Sequence, residues 1–142
     1  MTPEREKRGL QVAVGTASLV PILAGGWAVW RGATMLGGGN TDLDSHFRYL
    51  SGLLLGIGLT FVSTIPRIET RASTIRLLTF IVVAGGLARA VGFFHAVPSQ
   101  AMIGALVMEL AVTPLLCLWQ TRLAHRFATR GRAFIRSIDG IT

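Results

Sequence analysis

Two residues in this chain could do chemistry where little else could. Arg89 and Glu109 lie deep within apolar stretches, nine residues before Pro98 and ten after Ser99. If the flanking segments form an antiparallel helical hairpin, a rise of about 1.5 Å per residue puts both ~15 Å from the turn. That is about half of a hydrocarbon core of ~30 Å. A carboxylate at that depth can hold or release a proton as its arginine partner moves, which is the chemistry of an ion- or proton-coupled site. The same two residues also suit a static, buried ion pair that sets helix register, and this reading is preferred.

A second group sits nearer the ends of the apolar stretches: Asp42, Asp44, His46, Arg48 and His95. His46 and His95 are almost equally far from Glu69 and Thr70 in the chain, so they meet one level on adjacent antiparallel helices. Two imidazoles there could ligate a haem or a metal, with the aspartates nearby. The plainer alternative is interfacial histidines beside a helix cap, with Asp44 and Arg48 paired at i, i+4. Two histidines without matched apolar packing for a cofactor are a weak signal, so no cofactor and no metal are assigned. Ser45, Ser51 and Thr60 have no base near them in sequence. The Gly37–Gly39 run lacks the lysine of a phosphate-binding loop. An enzyme is therefore disfavoured, with a headgroup or redox enzyme at Asp44, His46 and His95 kept as the third reading.

The elements that position these residues are read from composition. Hydrophobic residues make up 51% of the 142-residue chain and charged residues only 15%, with mean hydropathy +0.55. Soluble domains carry about 25% charge. Leu10 to Trp30, Leu50 to Ile65, Leu77 to Val97 and Ala101 to Trp119 each approach the ~20 residues of a spanning helix. Little remains for a soluble core, and one transmembrane domain over 1–142 is expected. The first stretch is too long for a cleaved signal and is read as a retained helix. The single Cys117 permits no intramolecular disulfide.

The net charge of +7 suggests nucleic acid until its sources are placed. Eleven of the fourteen basic residues precede the first span, lie between the second and third, or follow the fourth. The positive-inside rule then puts both termini in the cytoplasm. In the tail, Arg122, Arg126 and Arg130 form an i, i+4 row, followed by Arg132 and Arg136, among Leu123, Phe127 and Phe134. This is read as a segment on anionic lipid headgroups, broken at Gly131, with no nucleic-acid module in sight.

Along the chain, Pro21 interrupts the first helix and Pro66 stops the second. Asp42 or Asp44 is expected to cap the second helix. Gly52 and Gly56, four apart, are expected to allow close helix approach. Gly85, Gly86 and Gly92 share a face with Arg89, as Ala101, Ala105 and Thr113 do with Glu109. Pro114 frees the carbonyl of Leu110, next to Glu109.

The strings Leu43-Asp44-Ser45-His46-Phe47-Arg48-Tyr49-Leu50-Ser51-Gly52, Ile65-Pro66-Arg67-Ile68-Glu69, Gly85-Gly86-Leu87-Ala88-Arg89 and Met108-Glu109-Leu110 occur in this order. Together they resemble a family of small bacterial membrane proteins, domain-of-unknown-function family 4345. The resemblance covers most of the chain from Leu43 to Arg122 and implies a four-helix inner-membrane protein without an assigned activity.

The expectation is an all-α integral membrane four-helix bundle, up-down-up-down, with helices at about 10–30, 46–65, 75–97 and 99–120 and a basic cytoplasmic tail over 121–142. Its function is read as non-enzymatic, an accessory or lipid-interacting protein of the bacterial inner membrane. The alternative is a small proton-linked transporter using Glu109. Expected partners are the bilayer and its anionic headgroups, with a homo-oligomer or a larger membrane complex left open, and no nucleic acid.

Overall fold

The computed structural model describes residues 3–94 and 97–139, with backbone alone at residues 3 and 36 and over 130–139. Among these residues all regular structure is helical. Helix α1 (Pro3–Arg31) passes into a 3-10 turn (Gly32–Leu36), and α2 (Thr41–Thr64) into another (Ile65–Arg67). Helix α3 (Ala72–Gly92) follows, then α4 (Gln100–Val107), a π-helical turn (Met108–Val112) and α5 (Thr113–Asp139). Four stretches are long and apolar enough to cross a membrane: Glu4–Met35, Thr41–Arg67, Ala72–Gly92 and Gln100–Thr129. At most 22% of the most apolar part of each is buried within the chain, as befits helices solvated by lipid. These helices mark a multi-pass membrane protein.

Several boundaries differ from those read in the sequence. Helix α1 starts at Pro3, seven residues before Leu10, with Glu4 and Glu6 in its first turn. Proline is well placed at a helix start, where its missing amide costs nothing, and acids there complement the helix dipole. Helix α2 starts at Thr41 because Asn40, rather than either aspartate, caps it: its side chain accepts from the Leu43 amide at 2.8 Å. Helix α3 ends at Gly92 rather than Val97, in a turn through Phe93 and Phe94. Pro98 disfavours helix at the residue before it. Helix α5 runs through Gly131 to Asp139. One interior glycine costs only about 1 kcal/mol, which its helix-forming neighbours Arg130, Arg132 and Ala133 offset.

The helices form two compact units, Val14–Ile65 and Met1–Ala13 with Pro66–Thr142. Within the first, α1 and α2 meet at two glycines. A Cβ on Gly25 would stand 2.7 Å from the Leu55 amide nitrogen and 2.8 Å from the Ser51 carbonyl oxygen. One on Gly58 would stand 2.7 Å from Ile22 Cγ1 and 3.2 Å from Pro21 Cγ. Here hydrogen is the only side chain that fits, and the two backbones approach closely as a result. Gly52 and Gly56, expected to do this, face open space. The helix rotation that buries Gly58 turns them outward.

In the second unit, Leu10 from the start of α1, Ile68, Ile75 and Leu78 from the link and α3, and Leu123 from α5 are buried. Gly9 sits against the Trp119 ring, 3.5 Å from where a Cβ would be. The same unit holds Arg89 and Glu109.

Candidate functional site

Arg89 grips Glu109 with two parallel hydrogen bonds: Nε donates to Oε2 at 3.1 Å and Nη2 to Oε1 at 3.0 Å. This fork-to-fork geometry is the strong form of an arginine–carboxylate contact. Although 20 residues separate the two in the chain, they lie on the packed pair α3 and α4 with its π turn. The level match is not between Arg89 and Glu109 themselves. Gly86 stands opposite the acid, where a Cβ would be 2.9 Å from Glu109 Cβ and 2.8 Å from Leu110 Cδ2. Arg89 is one turn further along α3. Helical side chains lean toward the N-terminus, so the long guanidinium arm reaches back to meet the carboxylate.

Glu109 belongs to the π-helical turn Met108–Val112. Pro114 explains why the helix widens here. It has no amide to donate to the Leu110 carbonyl, and its ring crowds that carbonyl. The turn loosens by one residue, so the Thr113 amide bonds to the Met108 carbonyl, and Thr113 Oγ1 donates to the same oxygen at 2.8 Å. Single π turns within helices recur at functional sites. The sequence pointed to freed backbone at Leu110; the widened turn itself was not read from it.

Within the chain the pair is only half enclosed. The Glu109 side chain keeps 16% of its exposure, but Arg89 keeps 37%. The cause lies beside it on α3: Gly85 and Gly92 carry no side chain to cover the guanidinium, and nothing stands within 4 Å of where their Cβ atoms would be.

The polar cluster at the α1–α2 junction is a clamp. Asp44 Oδ1 accepts from the Ala33 amide at 2.7 Å, while Oδ2 accepts from Arg48 Nε at 2.7 Å. Arg48 Nη1 in turn donates to the Val29 carbonyl at 2.6 Å. Carbonyls at the end of α1 and an amide at the start of the 3-10 turn thus receive the partners that helix ends lack. Gly32, at φ +62°, makes room for it, since a Cβ there would overlap Asp44 Oδ1 and Arg48 Nη2. Both aspartate oxygens and the guanidinium are therefore engaged. Asp42 and His46 are exposed on the first turns of α2. His95 lies outside the described residues, among which no group of three His, Cys, Asp or Glu side chains could hold a metal.

Sequence reasoning missed a polar knot elsewhere in the unit that holds Arg89. Lys7 Nζ donates to Glu69 Oε1 at 2.9 Å, across 62 residues, and lies 6.0 Å from the centre of the Phe127 ring. Glu6 Oε2 accepts from Arg126 Nη1 at 2.6 Å. Gln120 is fully buried, and its Nε2 donates to the Ile68 carbonyl at 2.8 Å, just past the second 3-10 turn. Burial pushes the Glu69 carboxyl up. The Lys7 hydrogen bond and charge, with its own backbone amide and Arg67, outweigh that and hold it below the usual carboxylate range. A signal existed for Gln120, a lone amide between Trp119 and Thr121 at the end of an apolar stretch. None existed for the pairing of Lys7 with Glu69. In the tail, Arg122 is exposed and Arg126 is taken up by Glu6, while Arg130, Arg132 and Arg136 are described by backbone alone.

No curated protein and no solved structure matches the chain. The model of one family, described as a domain of unknown function (DUF4345), matches residues 9–120, so both Arg89 and Glu109 fall within the shared region. The chain belongs to the DUF4345 family.

Proposed function

We propose that this protein is a non-enzymatic membrane protein of the bacterial inner membrane, an accessory or lipid-interacting subunit whose helices are held in register by Arg89 and Glu109. Both termini lie in the cytoplasm and the helices run up-down-up-down. The charge distribution supports that orientation, since the basic residues cluster before the first span, in the second link and after the fourth. The exposed Arg122 and the arginines beyond Arg126 rest on anionic headgroups, each worth ~1 kcal/mol near the surface.

The observation that carries this reading is the two-bond contact between Arg89 and Glu109. An arginine whose Nε and Nη2 are both committed to one carboxylate is a lock between helices before it is anything else. A double-mutant cycle tests it. Arg89→Ala and Glu109→Ala should each weaken the folded state strongly, because each leaves one charge unpaired in an apolar setting. The double variant should recover much of the loss. Additive losses would sink the lock. Reporter fusions at the C-terminus, active only in the cytoplasm, test the orientation.

One observation favours a second reading, a proton-linked carrier with Glu109 as its protonatable group. The acid sits in a π turn that ends two residues before Pro114, where the backbone has an alternative register within reach. A Glu109→Gln variant that inserts normally but loses proton-coupled flux from vesicles would establish it. Unchanged flux would remove it. The outer-cluster enzyme is not carried forward, since Asp44 and Arg48 are consumed by the clamp.

A further inference from the structure

The face of α3 around Arg89 combines two features that do not suit contact with lipid. The guanidinium is more than a third exposed. Its flanks on α3 are bare, because Gly85 and Gly92 have nothing within 4 Å of where a Cβ would be. An arginine carries five N–H donors, and Glu109 takes two of them. Hydrocarbon offers the others nothing, so an arginine placed this way faces a polar partner rather than acyl chains.

The charge pattern says what that partner is. One positive and one negative group lie side by side on the face, so the patch is complementary to itself under a twofold rotation. A second copy of the chain, inserted with the same topology, presents its own pair at the same depth. An unrelated helix would need an acid and a base of its own at that level. We infer that this face is where two copies of the chain dock, about a twofold axis along the membrane normal. Each Arg89 then lies between its own Glu109 and Glu109 of the partner subunit, in a closed ring of four alternating charges. The glycines let the two α3 backbones approach until the ring can close. The inference rests on the membrane placement proposed above and adds a partner to the register lock.

The test uses the full chain in bilayer nanodiscs of phosphatidylethanolamine and phosphatidylglycerol, in a Cys117→Ser background. Gly92→Cys should crosslink between copies under mild oxidation at several times the yield of Gly56→Cys, whose glycine is equally open but lies on α2. A second measurement separates contacts between copies from contacts within one. Chains carrying Arg89→Glu and chains carrying Glu109→Arg, differently tagged, should each fail to self-associate yet co-purify when expressed together. Equal crosslinking at both cysteines, or co-purification no better than with each variant alone, overturns the docking face. A monomeric wild-type chain that retains strong Arg89–Glu109 coupling also overturns it, while leaving the register lock standing. A Gly92→Cys crosslink without such coupling does the reverse.

Discussion

Gly86 and Glu109 stand face to face on α3 and the π turn, and a Cβ on the glycine would come within 2.9 Å of the acid's own Cβ. Gly86 is buried, whereas its neighbour Gly85 looks into open space. Substituting either with alanine adds the same methyl group to the same helix. Only at Gly86 must the partner helix move, and moving it stretches the contact to Arg89. Gly86→Ala is expected to cost about 1–3 kcal/mol through overpacking. Within a single chain, diluted in micelles so that copies do not dock, Gly85→Ala should be neutral or stabilising by up to ~1 kcal/mol, from helix propensity. Unfolding in mixed micelles distinguishes the two, and equal effects would refute the packing described.

Gly32 and Gly37 give a similar contrast in the other unit. Both have left-handed backbone, at φ +62° and +88°. A non-glycine residue in that region costs roughly 1–2 kcal/mol. At Gly37 nothing surrounds the added Cβ, so Gly37→Ala should cost that much and no more. At Gly32 the same methyl group collides with Asp44 and Arg48 and breaks the clamp. Gly32→Ala should therefore be clearly the worse of the two in thermal unfolding.

The Lys7–Glu69 contact makes stability depend on acid. Glu69 titrates below its ordinary value of 4.5 in the folded protein. The unfolded chain therefore binds the proton first as pH falls. Stability from this group is fully present above the unfolded value, and is lost as pH drops from there through the folded value. Lys7→Met removes the main force holding the carboxyl down, so the loss of melting temperature between about pH 5 and pH 3 should flatten. An unchanged slope would show that Glu69 does not couple to folding through Lys7.

Gln120 ties α5 to the link before α3 through one buried hydrogen bond. Gln120→Met keeps the bulk and removes the donor, leaving the Ile68 carbonyl unpaired. A loss of about 1–3 kcal/mol is expected, the cost of a buried unsatisfied acceptor. Gln120→Glu should lose at least as much, because an ionised carboxylate offers no donor to that carbonyl. If Gln120→Met is neutral in the same unfolding assay, the Nε2 bond is worth no more than the cost of the buried, unpaired Oε1 that the substitution also removes.

Four spanning helices were legible in the chain because lipid demands long apolar runs and leaves charge only at their ends. The two exceptions, Arg89 and Glu109, drew attention to themselves for that reason, and the hairpin through Pro98 was enough to place them near one another. Helix ends were less legible. The start of α2 is set by a single capping contact from Asn40, and such contacts compete within a few tenths of a kcal/mol up to ~2 kcal/mol.

Spacing alone could not tell which glycine of a stripe meets a neighbour. Gly25, Gly58 and Gly86 do, while Gly52, Gly56, Gly85 and Gly92 do not. That choice depends on the rotation of each helix about its axis, and a helix coated in lipid is apolar on every side, so its sequence carries little record of rotation. The same holds for the half-open state of the Arg89–Glu109 pair, for the π turn that seats the acid, and for the meeting of Lys7 with Glu69. Composition and charge determined that the chain enters the membrane and which residues would be anomalous there. Packing between helices decided what those residues touch, because contacts across 20 or 62 residues are set by the facing surfaces and not by any local pattern.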